Sequence, residues 1–197
     1  MHQFNKKIAL ITAIGLIVFF ICLISYQLVA YNCLWWNCAP TRAFTVYDLN
    51  LPDEFFPPNA QVYGLQYDRG TPGIESASTA NYWDGGLALY GVMRFATLDQ
   101  ATKQFEYDAN LDIFTRSLSS SESYSEILEF HSRIADSSQV KCGYVIEDIR
   151  CVFIARYEEY TIFFSGSIGE KEMTTTDFIG VMTYRENKMK ELLRQKS

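Results

Sequence analysis

Residues 139–167, QVKCGYVIEDIRCVFIARYEEYTIFFSGS, decide the fold. Three apolar runs, Gln139–Ile146, Arg150–Tyr157 and Tyr160–Ser167, are separated by the acidic breaks Glu147-Asp148 and Glu158-Glu159. Runs this short, rich in β-branched and aromatic residues and bounded by turn residues, predict successive antiparallel strands. A two-residue Glu158-Glu159 turn sets Tyr157 beside Tyr160, Ala155 beside Ile162 and Phe153 beside Phe164. That gives one apolar, aromatic face. Cys142 and Cys151 fall directly opposite each other only if the first connection is Ile146-Glu147 or the four residues 145–148. A Glu147-Asp148 turn would put them out of step.

Beyond this meander, Thr174-Thr-Thr-Asp177 reads as the cap of a helix running to about Arg194. Phe178, Val181, Met182, Met189 and Leu192 form its buried side, and Lys188, Lys190, Arg194 and Lys196 complement the dipole at its C-terminal end. Before the meander, 127–135 suits either a helix or a strand, its alternation of apolar and polar residues favouring the strand, and the serine-rich 118–124 reads as loop. Thr97-Leu-Asp-Gln100 resembles a second capping box, followed by Ala101, Phe105, Ala109 and Ile113 as the core stripe of a helix to about Arg116. Gln61–Tyr67 and Gly85–Phe95 are strands, and 68–80 is loop. Residues 39–60 carry four of the five prolines and read as an extended linker with one short strand around Phe44–Leu49. The expectation is an α+β domain: a mainly antiparallel sheet with two helices packed on one face.

At the start of the chain, Ile8 to Ser25, IALITAIGLIVFFICLIS, contains no charge. With Tyr26 to Ala30 the apolar stretch is long enough, at ~1.5 Å per residue, to cross a ~30 Å hydrocarbon core. A signal-peptide core is shorter, and Leu28-Val29-Ala30 is only a passable cleavage signature. An uncleaved transmembrane helix is the preferred reading, with a cleaved signal as the alternative. Neither Cys22 nor Cys33 follows the small residue that a lipoprotein signal needs. Lys6 and Lys7 alone precede the block, and no charge follows until after Pro40. The positive-inside rule therefore puts the N-terminus in the cytoplasm and the rest outside. Tyr26, Tyr31, Trp35 and Trp36 suit the outer interface. The expected organisation is a cytoplasmic 1–7, a transmembrane 8–30, a juxtamembrane linker 31–60 and an extracytoplasmic domain 61–197.

Four cysteines lie beyond the span, and an even number in an oxidising compartment predicts disulfides. Local pairing, Cys33 with Cys38 and Cys142 with Cys151, is the simplest arrangement, with four reduced thiols as the alternative. No metal is expected, since CxxC spacing is lacking and the only histidines are His2 and His131.

Chemistry is sparse. Fifteen basic residues face 23 acidic ones beyond the apolar block, with no basic tract, which argues against nucleic acid as a partner. GxSxG, GxGxxG, P-loop and calcium-loop patterns do not occur. His131, on the polar side of its segment, reads as a surface residue. The Glu147/Asp148 and Glu158/Glu159 pairs read as solvated turns. No cofactor is expected, and the chain is not read as an enzyme. The candidate binding residues are Arg69, Tyr82, Trp83 and Asp84, because aromatics and arginine near glycines offer contact area and planar hydrogen bonding. The competing reading has Trp83 plugging the end of the core while Gly85-Gly86 turn the chain. The expected function is a non-catalytic single-pass protein presenting an interaction domain outside the membrane. It would be an accessory subunit or scaffold whose partners are the bilayer and another membrane protein, with any small-molecule ligand unidentified. The alternative is an envelope-tethered, hydrolase-like enzyme with a carboxylate or metal site that no motif reveals.

Overall fold

A computed structural model describes residues 2–68, 74–111, 116–117, 128, 130–146, 148–169 and 171–195. Helix α1 (His2–Tyr31) leads. Two short 3-10 turns follow, Val46–Leu49 and Asp53–Phe55, and then the strands β1 (Gln61–Asp68), β2 (Glu75–Trp83) and β3 (Gly86–Arg94). Helix α2 (Leu98–Asn110) and the two-residue β4 (Arg116–Ser117) come next. Strands β5 (Ser137–Val145), β6 (Asp148–Tyr157) and β7 (Tyr160–Ser167) lead to the closing helix α3 (Thr175–Arg194). The sheet order is β1-β2-β3-β7-β6-β5-β4, antiparallel throughout. The molecule is therefore α+β with an N-terminal apolar helix.

The decisive meander forms in the expected register. Tyr157 pairs with Tyr160, Ala155 with Ile162 and Phe153 with Phe164. Val145 pairs with Asp148, so the β5–β6 connection is residues 146–147, and Cys142 faces Cys151. Both local disulfides are present, Cys33–Cys38 and Cys142–Cys151, and Cys22 is a free thiol. The caps also form. Thr97 Oγ1 accepts from the amide of Gln100, and Thr174 and Asp177 make a reciprocal capping box.

Four expectations need correction. The two helices do not share a face. Val140 and Cys142, partly buried, pack against the main core, whereas Lys141, one step out of phase, donates from Nζ to the Ala109 carbonyl at the end of α2. Strand alternation thus puts α2 over the side that carries Val152 and Ile154, while α3 covers Phe153, Phe164 and Tyr90 on the other. The reason is that β6 and β7 are buried on both sides, and a sheet apolar on both sides needs a layer on each.

Second, residues 44–56 are not a free linker. Phe44, Val46, Leu49 and Phe56 are core residues: Phe44 stacks on Tyr160 at 5.3 Å, and the Leu49 carbonyl accepts from the Tyr90 hydroxyl at 2.6 Å. The strand expected around Phe44–Leu49 is a 3-10 turn. Third, β2 runs through the segment read as loop. Its small polar residues fit there because strands on both sides supply the hydrogen bonds. Fourth, residues 130–135 form no strand. Their amides go instead to side chains, those of Arg133 and Ile134 to the Glu186 carboxylate and that of Ala135 to Ser132 Oγ. Helix α2 ends at Asn110, and Ile113 lies outside the described residues.

Candidate functional site

The end of β2 and its turn into β3 hold three of the four expected binding residues. Gly85 takes φ +90°, a left-handed conformation open to glycine, and lets β3 double back on β2. At Gly86 a Cβ would lie 2.0 Å from the Trp83 ring, so the backbone here is shaped around the indole. Trp83 is only 8% exposed, packs 6.2 Å from Phe56, and donates from Nε1 to the Lys171 carbonyl at 3.2 Å. Its bulk closes the end of the core. Asp84 is exposed in the turn and Tyr82 is 43% exposed on the opposite side of the strand from Trp83. With Asn59 and Gln61 these three line a cleft of about 440 Å³. Arg69 lies outside the described residues.

A second concavity, absent from the sequence reading, adjoins the first. On the side where α2 covers β6 and β7, no helix among the described residues lies over strands β1 to β3. Ser78, Ala80, Leu89, Gly91 and Phe163 floor a cup of about 550 Å³, and Tyr63 walls it. Tyr63 is 64% exposed and meets Tyr82 edge-to-face at 5.3 Å. The two tyrosines join cup and cleft into one surface along the β1 edge. Its floor is apolar apart from Ser78, its rim carries two phenols, and Asn59, Gln61 and Asp84 supply amide and carboxylate groups at one end. The available signal was the aromatic alternation in β1, which reads equally as core when the neighbouring strand is missed.

Other side chains singled out by sequence lie apart from this surface. His131 is exposed. Among the described residues no three His, Cys, Asp or Glu side chains converge as a metal site. Glu159, read as a solvated turn residue, is fully buried. Arg42 grips it with two hydrogen bonds, Nε to Oε1 at 2.7 Å and NH2 to Oε2 at 2.9 Å, and also bonds Glu158. Arg94 Nε approaches the same Oε1 at 3.6 Å while its NH2 donates to the Pro40 carbonyl. With the Ala39 amide bonded to the Ala96 carbonyl, this knot pins the chain leaving α1 to the end of the sheet. The carboxylates raise the Arg42 pKa further above its ordinary value, hydrogen bonding to Glu159 being the largest cause.

In α1, the segment Leu10–Tyr31 is long and apolar enough to cross a membrane, and none of its apolar window is buried against the rest of the chain. A signal sequence has the same character. Trp35 and Trp36 project from the disulfide-closed loop just beyond it.

The fold and its surfaces thus define an α+β domain behind an apolar N-terminal helix, with a tyrosine-rimmed concavity on a part of its sheet that no described helix covers. Comparison with known proteins returns no matching family, no similar curated protein and no similar solved structure.

Proposed function

We propose that this chain is a non-catalytic single-pass membrane protein. Its α+β domain lies outside the cytoplasm as the binding module of a membrane-associated assembly, where it acts as an accessory subunit or scaffold. One observation carries the reading: a membrane-length helix that buries none of its apolar window against the chain, followed by one disulfide just beyond it and a second within the domain. Exposed apolar side chains over a whole helix are costly in water and favourable in lipid. Disulfides belong to oxidising compartments. Lys6 and Lys7 before the span favour a cytoplasmic N-terminus, and Trp35 and Trp36 suit the outer interface.

The domain's contact surface in this reading is the cup and cleft joined by Tyr63 and Tyr82. Tyrosine-rimmed apolar concavities gain contact area at low side-chain entropy cost. Arg69, Tyr82, Trp83 and Asp84 remain the residues proposed to serve it, with Trp83 shaping the cleft from below.

The test is mild-detergent extraction of the native protein, with the intact mass of this chain and the identity of co-purifying proteins read together. Full-length mass, alkali-resistant membrane association and a stoichiometric membrane partner lost in a Tyr63→Ala/Tyr82→Ala variant are expected. A chain beginning near Tyr31 and purifying alone would overturn the anchored reading.

A further inference from the structure

We propose that Arg185 is the seat of a small-anion site inside the domain, taking a halide or a carboxylate-sized oxyanion. Arg185 lies on the buried side of α3, in line with Phe178, Val181, Met182, Met189 and Leu192, and none of its surface reaches solvent. Its Nε and both terminal nitrogens lack a hydrogen-bond partner. Two aromatic rings lie against its guanidinium. The guanidinium carbon sits 4.2 Å from the ring centroid of Tyr90 and 5.6 Å from that of Tyr184.

Of the polar groups around it, the Tyr157 hydroxyl is likewise buried without a hydrogen-bond partner, and two others are committed elsewhere. The Glu186 carboxylate accepts from Ser132 Oγ at 3.0 Å and from the amides of Ile134, at 3.1 Å, and Arg133. The Tyr90 hydroxyl is spent on the Leu49 carbonyl. Among the described residues no carboxylate comes within ion-pair distance of Arg185. The contrast with Arg42, which holds two carboxylates at a better-exposed position, is direct.

A guanidinium stays charged inside a protein. Its contact with Tyr90 offsets part of the cost of desolvation but gives the N–H donors no acceptor. Water would accept those hydrogen bonds without countering the charge. An anion does both, and the planar fork of an arginine fits a two-oxygen acceptor or a single halide in its angle.

The experiment is thermal and denaturant unfolding of the full chain in non-ionic detergent at fixed ionic strength, exchanging sodium gluconate for sodium chloride or formate. Because the ligand binds the folded state, each tenfold rise in the small anion above its Kd raises the folding equilibrium constant about tenfold. Gluconate, too large for an enclosed site, gives no such rise. Arg185→Met, which keeps the bulk and removes the charge, is expected to unfold identically in all three salts. Line broadening of the chloride resonance by the wild-type chain, reversed by formate, gives a readout that needs no variant. Identical wild-type stability in the three salts, equal salt effects on wild type and Arg185→Met, or chloride broadening indifferent to formate would each overturn the site.

Discussion

Replacing Glu159 by alanine tests the least expected contact in the fold. The carboxylate is wholly buried, held by two hydrogen bonds from Arg42 and approached by Arg94. Removing it leaves the guanidinium of Arg42, itself 9% exposed, beside a second cation with only Glu158 in reach. Loss of one partner from a buried pair costs about 3–5 kcal/mol. For a domain of this size each kcal/mol moves Tm by roughly 2–4 °C, so Glu159→Ala is expected to melt about 6–20 °C lower. The damage is directional. Hydrogen exchange should rise first at the amides of Ala39 and Phe95, whose acceptors are the Ala96 and Glu159 carbonyls. Replacing both partners, Arg42→Met with Glu159→Leu, removes the charges together and should recover much of the loss. A Glu159→Ala protein within 1 kcal/mol of wild type by urea denaturation, with unchanged exchange at those two amides, would refute the argument.

Gly86→Ala forces a Cβ into the Trp83 ring and should cost about 2–4 kcal/mol while red-shifting tryptophan emission. Gly91→Ala points a methyl into open space and should lie within about 0.5 kcal/mol of wild type in the same denaturation assay. Cys142→Ser with Cys151→Ser opens a link with a sequence separation of nine and is expected to lose about 2–3 kcal/mol, read as a lower urea midpoint. Alkali is the fourth perturbation. Burial pushes Tyr90 up to about 12 and raises Tyr157 and Tyr160 as well. The folded state thus keeps protons that the unfolded chain releases near pH 10. This contribution is complete below pH 10 and is lost, for Tyr90, between about 10 and 12, at up to about 1.4 kcal/mol per pH unit for each tyrosine. Absorbance at 295 nm should show these phenols ionising only as the far-ultraviolet dichroism collapses. Full ionisation near pH 10 with native dichroism would contradict the burial.

Sequence pattern revealed those parts of the fold whose signals are local and periodic. The caps at Thr97 and Thr174, the stripe of α3 and the register of β6 with β7 each depend on residues close together in the chain. Residues 44–56 escaped because an irregular segment has no period: Phe44, Val46, Leu49 and Phe56 reach the core at spacings that match neither helix nor strand. Strand β2 escaped because Ser, Ala, Thr and Asn have loop-like composition and become strand only when β1 and β3 supply both ladders. Glu159 looked like an ordinary turn carboxylate, since its partner Arg42 lies 117 positions away. The opposed helices were legible in principle. Val152, Phe153, Ile154 and Ala155 run without a polar break, the mark of a strand covered on both sides. At the candidate surface Tyr82 and Asp84 were legible as candidates because they stand beside the Gly85-Gly86 pair. The sequence could not separate Trp83 the core plug from Trp83 the contact residue, because an indole beside two glycines suits both.

The Cys33–Cys38 bond sets a length as well as a bond. Between Tyr31, where α1 ends, and Ala39, where the sheet first holds the chain, an unbridged segment would extend to roughly 27 Å at ~3.4 Å per residue. The disulfide fixes the Cα atoms of its cysteines 5.1 Å apart, leaving a leash of roughly 15 Å. On the proposed topology, such a leash confines the domain to a thin layer above the bilayer. Its effective concentration is then high for targets embedded beside it and negligible for those farther out. Reduction of that single bond would nearly double the radius the domain can sweep.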